Sequence, residues 1–203
     1  MCNRPNSKET EQLFYDVLKK AGIKNTYGIG VFEVKGNFLG WLGLNIGVHP
    51  TYLRVNPNVG IHCVSVEQLL TEIDGKKYQR GRFPTFSMPI GNICPDDLQF
   101  IIEKNEDIKL EADRLLTLMT ERVIPHLAIF ANKEAMIDYL TKDRQYLTTL
   151  PAALFVYGRK QDSLDCINKD LLLHKDNPHQ EYFVTRLEKL KKIIDESSLL
   201  KAE

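Results

Sequence analysis

The stretch GNFLGWLGLNIGVHPTYLRVNPNVGIHCVSV, residues Gly36–Val66, decides the fold, because its only charged side chain, with histidine taken as neutral, is Arg54. Glycine, branched aliphatics and aromatics dominate it, and such a run reads as strands buried on at least one face. Turn signals divide it and the residues just before it. They give a strand near Tyr27–Val34, a turn at Lys35-Gly36-Asn37, a long strand near Phe38–Val48, a loop through Pro50 and Pro57, and a strand near Val59–Val66. Two hairpin-like connections make the sheet mainly antiparallel. Gly40, Gly43 and Gly47 weaken the long strand and mark a bend, a bulge or the close approach of another segment.

On the N-terminal side, Ser7 is positioned to cap a helix whose apolar face is Leu13, Phe14, Val17, Leu18 and Ala21, and Gly22 stops it. On the C-terminal side, Val66, Leu69, Leu70 and Ile73 have helical spacing up to Asp74-Gly75. The segment Lys76-Lys-Tyr-Gln-Arg-Gly-Arg-Phe83 reads as an exposed loop. Short strands are expected at Thr85–Pro89 and Leu98–Glu103, although Pro95-Asp96-Asp97 would also start a helix well. From Glu106 the period is helical: Ile108, Ala112, Leu115, Met119, Val123, Leu127 and Phe130 recur every three or four residues, with Pro125 expected to kink or split the helix near Ile124. Asn132 caps a further helix. Leu150–Tyr157, Asp162–Leu173 and His179–Glu196 then pack as helical hairpins. The fold class is α+β: a mainly antiparallel sheet with an N-terminal helix, followed by a helical C-terminal half. The expected regions are 1–104 for the sheet and 105–203 for the helices, packed as one globular unit.

The 203 residues carry 27 Lys+Arg against 27 Asp+Glu and are 43% hydrophobic. That is one ordinary domain with a core large enough to fold without metal or disulfide. The balance argues against a surface that is an electrostatic footprint for nucleic acid or anionic membrane. No run approaches the roughly 18 apolar residues of a membrane span, the N-terminus lacks a secretory apolar region, and the cytoplasm is the expected location. Cys2, Cys63, Cys94 and Cys166 include no C-x-x-C pair, so neither a disulfide framework nor a zinc knuckle is expected; Cys2 reads as a frayed terminus rather than a lipidation site.

Familiar catalytic signatures are missing. Gly28-Ile-Gly30 lacks the third glycine of a dinucleotide loop, and no phosphate loop, H-E-x-x-H, EF-hand or G-x-S-x-G occurs. His62 and Cys63 are strand neighbours that point to opposite faces, so they read as packing residues and not as a thiolate–imidazole pair. His174 and His179 have no completing carboxylate or cysteine, and His126 reads as helix-surface packing. Asp96-Asp97 and Glu111/Asp113 read as helix-start and solvated charges. No catalytic residue, metal or cofactor is expected.

Two groups remain. Lys76, Lys77, Tyr78, Arg80 and Arg82, interleaved with Phe83 and Phe86, form the one cationic–aromatic segment, suited to an acidic protein partner or, with less support, to a single nucleic-acid strand. His49, Tyr52 and Arg54 stand where strand ends often form a pocket, which is the alternative reading: a small-molecule binder or enzyme. Trp41, the only tryptophan, reads as core packing. The C-terminal apolar stripe, at under three heptads, packs on its neighbours more readily than it dimerises.

The order Val17-Leu-Lys-Lys-Ala-Gly-Ile23, Gly40-Trp-Leu-Gly-Leu-Asn-Ile46, Val55-Asn-Pro-Asn-Val-Gly-Ile61 and Val123-Ile-Pro-His-Leu127 resembles uncharacterised bacterial families of unknown function. Some of their relatives are immunity-type proteins that neutralise toxins. The resemblance spans about Leu13 to Leu173. Its motifs are turns and packing residues, so it implies a non-enzymatic protein-binding module and carries over no functional residue.

Overall fold

A computed structural model describes residues 4–143 and 146–199; Cys2 lies outside them. The fold is α+β. Strands β1 (Lys24–Thr26), β2 (Ile29–Lys35), β3 (Phe38–Gly43), β6 (Asn58–Cys63) and β7 (Phe86–Pro89) form one antiparallel sheet in the order β1-β2-β3-β6-β7. Strands β4 (Ile46–Val48), β5 (Leu53–Val55) and β8 (Phe100–Ile102) form a second, in the order β4-β5-β8. Helix α1 (Ser7–Leu18) precedes the sheets, α2 (Val64–Ile73) follows β6, and six helices follow β8: α3 (Asn105–Leu118), α4 (Ile124–Ile129), α5 (Lys133–Lys142), α6 (Thr149–Val156), α7 (Lys160–His174) and α8 (Glu181–Leu199). No helix among the described residues is long and apolar enough to cross a membrane.

Several boundaries depart from the sequence reading. Asn6, not Ser7, caps α1, accepting from the N–H groups of Lys8 and Glu9. The strand expected near Tyr27–Val34 is β2, and a strand that was not expected, β1, precedes it: Tyr27 and Gly28 both take positive φ and turn β1 back on β2. The long strand expected over Phe38–Val48 breaks at Leu44-Asn45. Asn45 has φ 49°, and its side chain donates to the carbonyl of Asn56, so the chain leaves the first sheet and enters the second. The expected loop between Pro50 and Pro57 contains β5, and the last strand stops at Cys63, three residues early, where α2 begins.

Contacts divide the chain into two compact units. The first comprises the described residues up to Cys63 together with Arg80–Ala131, and so holds both sheets with α1, α3 and α4. Register places Gly30, Phe32, Gly40, Leu42, Val59, Ile61, Phe86 and Met88 on one face of the five-stranded sheet. α1 covers part of that face: Tyr15 is fully buried, and its hydroxyl meets the carbonyls of Gly28 at 2.9 Å and Leu42 at 3.4 Å. Burial pushes its pKa up, which keeps the phenol a donor. Phe130, just beyond α4, meets Phe86 edge to face at 5.5 Å. Pro125 is accommodated by a π turn over Met119–Val123, whose extra residue per turn relieves the clash of the proline ring with the preceding turn.

The second unit comprises Val64–Gln79 with the described residues from Asn132 onward. Its centre is α6, whose sequence TLPAALFV is apolar all round and which packs against α2, α5 and α7. α8 is tied to the end of α2: Arg186 lies 2.9 Å from Asp74, both side chains about 15% exposed, and it donates to Thr148 Oγ1 at 3.0 Å. Lys189 Nζ donates to the carbonyl of Ile73 at 3.3 Å.

The tightest packing constraint lies at Gly40, where a Cβ would fall 2.0 Å from the ring of Phe32. Gly40→Val should therefore destabilise the protein by roughly 3 kcal/mol, measured by urea unfolding. A change below about 0.5 kcal/mol would show that the Phe32 ring can move aside. In the second unit, Arg186→Ala leaves Asp74 half-desolvated without its cation and should cost roughly 2 kcal/mol, whereas Lys192→Ala on an exposed pair should cost less than about 0.5 kcal/mol.

Candidate functional site

The other face of the five-stranded sheet carries Val31, Glu33, Trp41 and His62. Across it runs the segment Arg80–Phe83, which we call the strap. Gly81 has φ 76° and lies so close to Val31 that a Cβ would fall 2.7 Å from it, so both conformation and space demand glycine here. Arg80 pairs with Glu33 at 3.3 Å. The Trp41 indole N–H donates to the carbonyl of Arg82 at 3.4 Å.

His62 holds the strap at two points. Its Nδ1 lies 2.6 Å from the carbonyl of Phe83, and the N–H of Gly81 donates to its Nε2 at 3.3 Å. These partners require the neutral ring with its proton on Nδ1. His62 is 1% exposed. Burial holds its pKa below the ordinary histidine value, partly offset by the Phe83 carbonyl and reinforced by the nearby positive charge of Arg80. The sequence reading of His62 as an ordinary half-buried strand residue thus understates it. Its neighbour Cys63 does face the other way, into the core, with its N–H on Thr85 Oγ1 at 2.8 Å.

Anchored from beneath, the strap presents Arg82 and Phe83 outward. Phe83 is 58% exposed, and the Arg82 guanidinium sits 5.5 Å from the centre of its ring. Trp41 is half-buried beside them, not enclosed in the core as its sequence context suggested. The rest of the cationic segment belongs to the second unit: Lys76 lies 3.5 Å from Asp74, Lys77 is exposed and Tyr78 is half-buried.

The strand-end residues are also gathered. His49 and Tyr52 stack with ring centres 4.3 Å apart, and Arg54 lies two residues along β5 on the same face. The carboxylates considered for acid–base work have cations: Asp97 and Glu111 both reach Arg114 at 2.7 Å, and Asp113 is held by Lys109, whose hydrogen bond lowers its pKa. The Cys166 thiol is pushed up to about 12, first by burial and then by Asp170, which makes it a poor nucleophile at neutral pH. Among the described residues no three His, Cys, Asp or Glu side chains are grouped to hold a metal ion. A cleft of about 180 Å³ in the second unit is lined by Lys133, Glu134, Ile137, Asp138, Tyr157 and Arg159, with both signs of charge and no focused field. Comparison of the chain with protein-family models, curated proteins and solved structures finds no match.

The His62 clasp makes stability depend on pH with a defined sign. The folded protein holds the imidazole below its ordinary value, so the unfolded chain binds more protons on the acid side of about pH 6.5. This contribution is complete above about pH 6.5 and is lost as the pH falls towards the folded value. His62→Leu should remove that part of the acid sensitivity in denaturant midpoints measured from pH 7.5 to 4.5. Identical pH profiles for the variant and the wild type would contradict the clasp.

Proposed function

We propose that this chain is a non-enzymatic protein-binding module that engages its partner through the strap. The observation that carries the proposal is the two-point clasp: a buried histidine fixes a four-residue loop so that Arg82 and Phe83, with Trp41 alongside, face outward in one geometry. Tryptophan, arginine and large aromatics dominate binding hot spots, and a loop fixed before binding loses little conformational entropy on association. The exposed guanidinium of Arg82 beside the Phe83 ring is the strap's charged element, and Phe83 is its apolar anchor. The partner that fits is a protein offering a carboxylate beside a shallow apolar recess. Lys76, Lys77 and Tyr78 continue the same alternation of cation and aromatic along the chain.

The resemblance to uncharacterised bacterial families, some of whose relatives are immunity-type proteins, accords with the same reading. A module that neutralises a toxin needs a rigid epitope and no catalytic group. The cytoplasm, where such a partner would act, is the location that accords with this role.

The test is affinity capture from the native host followed by calorimetry with the captured protein. Arg82→Glu and Phe83→Ala should each weaken binding about 30-fold, the worth of one hot-spot side chain at about 2 kcal/mol, with melting temperatures unchanged. Gly81→Val should weaken binding although it removes no contact group. A partner whose affinity ignores all three substitutions would exclude the strap as its site.

A further inference from the structure

We propose that the strap is a proton-operated latch: when His62 takes up a second proton, the Gly81 end of the strap is released while the Phe83 end stays held. The two ring nitrogens differ in what a proton does to them. Nδ1, 2.6 Å from the Phe83 carbonyl, is a donor in the neutral ring and remains one in the imidazolium. Nε2 accepts from the Gly81 N–H at 3.3 Å, and protonation turns that acceptor into a donor. Two N–H groups then face each other, and the contact cannot survive. One clasp point is indifferent to the proton and the other is destroyed by it, so the strap swings about Phe83 and does not detach.

The opening is local, because little of the strap is buried. Of Arg80, Gly81, Arg82 and Phe83 only Gly81 is buried, and it has no side chain to withdraw. A segment with so few buried contacts opens while the sheet beneath keeps its pairing. The charges around the ring favour the same movement. Arg80, a like charge to the imidazolium, is held over the sheet by Glu33 at 3.3 Å in a largely exposed pair, and Arg82 is the strap's other cation. β3 and β7 carry no charged residue, and Lys35 of β2 stands in register with Phe38 and Cys63, on the opposite alternation to His62. α2, which continues the chain from β6, has Glu67 buried in its first turn. Burial, offset in part by the Phe83 carbonyl and reinforced by Arg80, keeps the ring neutral near pH 7, so the latch is closed there and opens on the acid side of about pH 6.5. Trp41 donates to the carbonyl of Arg82, inside the part that swings, so opening separates Arg82 from the indole. Acid therefore takes apart the outward surface of Trp41, Arg82 and Phe83. That this switches off partner binding rests on the strap being the partner's surface; the latch itself does not.

The latch is tested without a partner, because Trp41 is the chain's only tryptophan and its emission reports the strap. Emission, the His62 ring signals and the Gly81 amide signal are followed by fluorescence and NMR from pH 7.5 to 4.5, with far-UV circular dichroism alongside. All three should shift with one midpoint below about pH 6.5, while the dichroism holds. His62→Gln keeps an acceptor in reach of the Gly81 N–H and takes up no proton, so it should abolish the emission step. A ring still neutral at pH 4.5, or one that titrates while Trp41 and Gly81 do not respond, would overturn the latch. So would loss of dichroism at the same midpoint, or an emission step that survives in His62→Gln and therefore belongs to a carboxylate such as Glu33 or Glu67. With the captured partner, affinity should fall about tenfold per pH unit below the midpoint, as the closed fraction of a one-proton equilibrium does, and should lose that fall in His62→Gln. An affinity with the same pH dependence in both proteins would overturn the gating. The strap as the partner's surface is read separately, from the effect of Arg82→Glu at pH 7.5, so the two can fail apart.

Discussion

The ring of Phe32 lies where a side chain at residue 40 would be, and the architecture of the sheet follows from that contact. Strand side chains alternate, so fixing Phe32 and Gly40 inward fixes Val31, Glu33 and Trp41 outward, and a slip of one residue would exchange the two sets. The same register carries across β3 to β6 and puts Ile61 and Cys63 in the core with His62 between them on the opposite face. The strap can be clasped only because its histidine stands on that face. A packing constraint on one side of the sheet thus determines what chemistry the other side can offer.

The two candidate sites solve different physical problems. At the strap, a polar group buried in the sheet is satisfied by a loop: His62 uses both ring nitrogens on backbone groups of Gly81 and Phe83, so the loop's own side chains are left to face outward. At the β4–β5 hairpin, His49 and Tyr52 stack on the face that carries Arg54, whose Nε is buried without a hydrogen-bond acceptor among the described residues. Neither arrangement contains a nucleophile with an adjacent base, and the carboxylates with the best-placed neighbours are neutralised by Arg114 and Lys109.

Much of this could be read from residue order, and the exceptions have specific causes. The nearly uncharged run from Gly36 to Val66 gave away the sheet, and the three- and four-residue period gave away the helices, because burial of apolar faces leaves a local pattern. β1 escaped because Lys24-Asn25-Thr26 has no apolar alternation, and β5 because Arg54 and two flanking prolines resemble a loop. The break at Asn45 escaped because an asparagine in the left-handed region has no apolar signature. The division into units is not contiguous in sequence, with α2 grouped with the C-terminal helices and α3 and α4 with the sheets, so no linker could signal it. At the sites, the cationic–aromatic composition of the strap and the strand-end position of His49, Tyr52 and Arg54 were visible. The role of His62 was not, since its partners lie 19 and 21 residues away and are backbone atoms that no residue identity encodes.

The central claim is that the strap is the surface a partner touches, and site-specific photocrosslinking in the native host tests it most directly. A photoreactive phenylalanine analogue would be placed at Phe83 and, in a second variant, at Ile129, which is equally exposed in the same unit. The account predicts one discrete crosslinked protein from position 83 that is absent from position 129. Crosslinking of the same protein from both positions, or from position 129 alone, would contradict it.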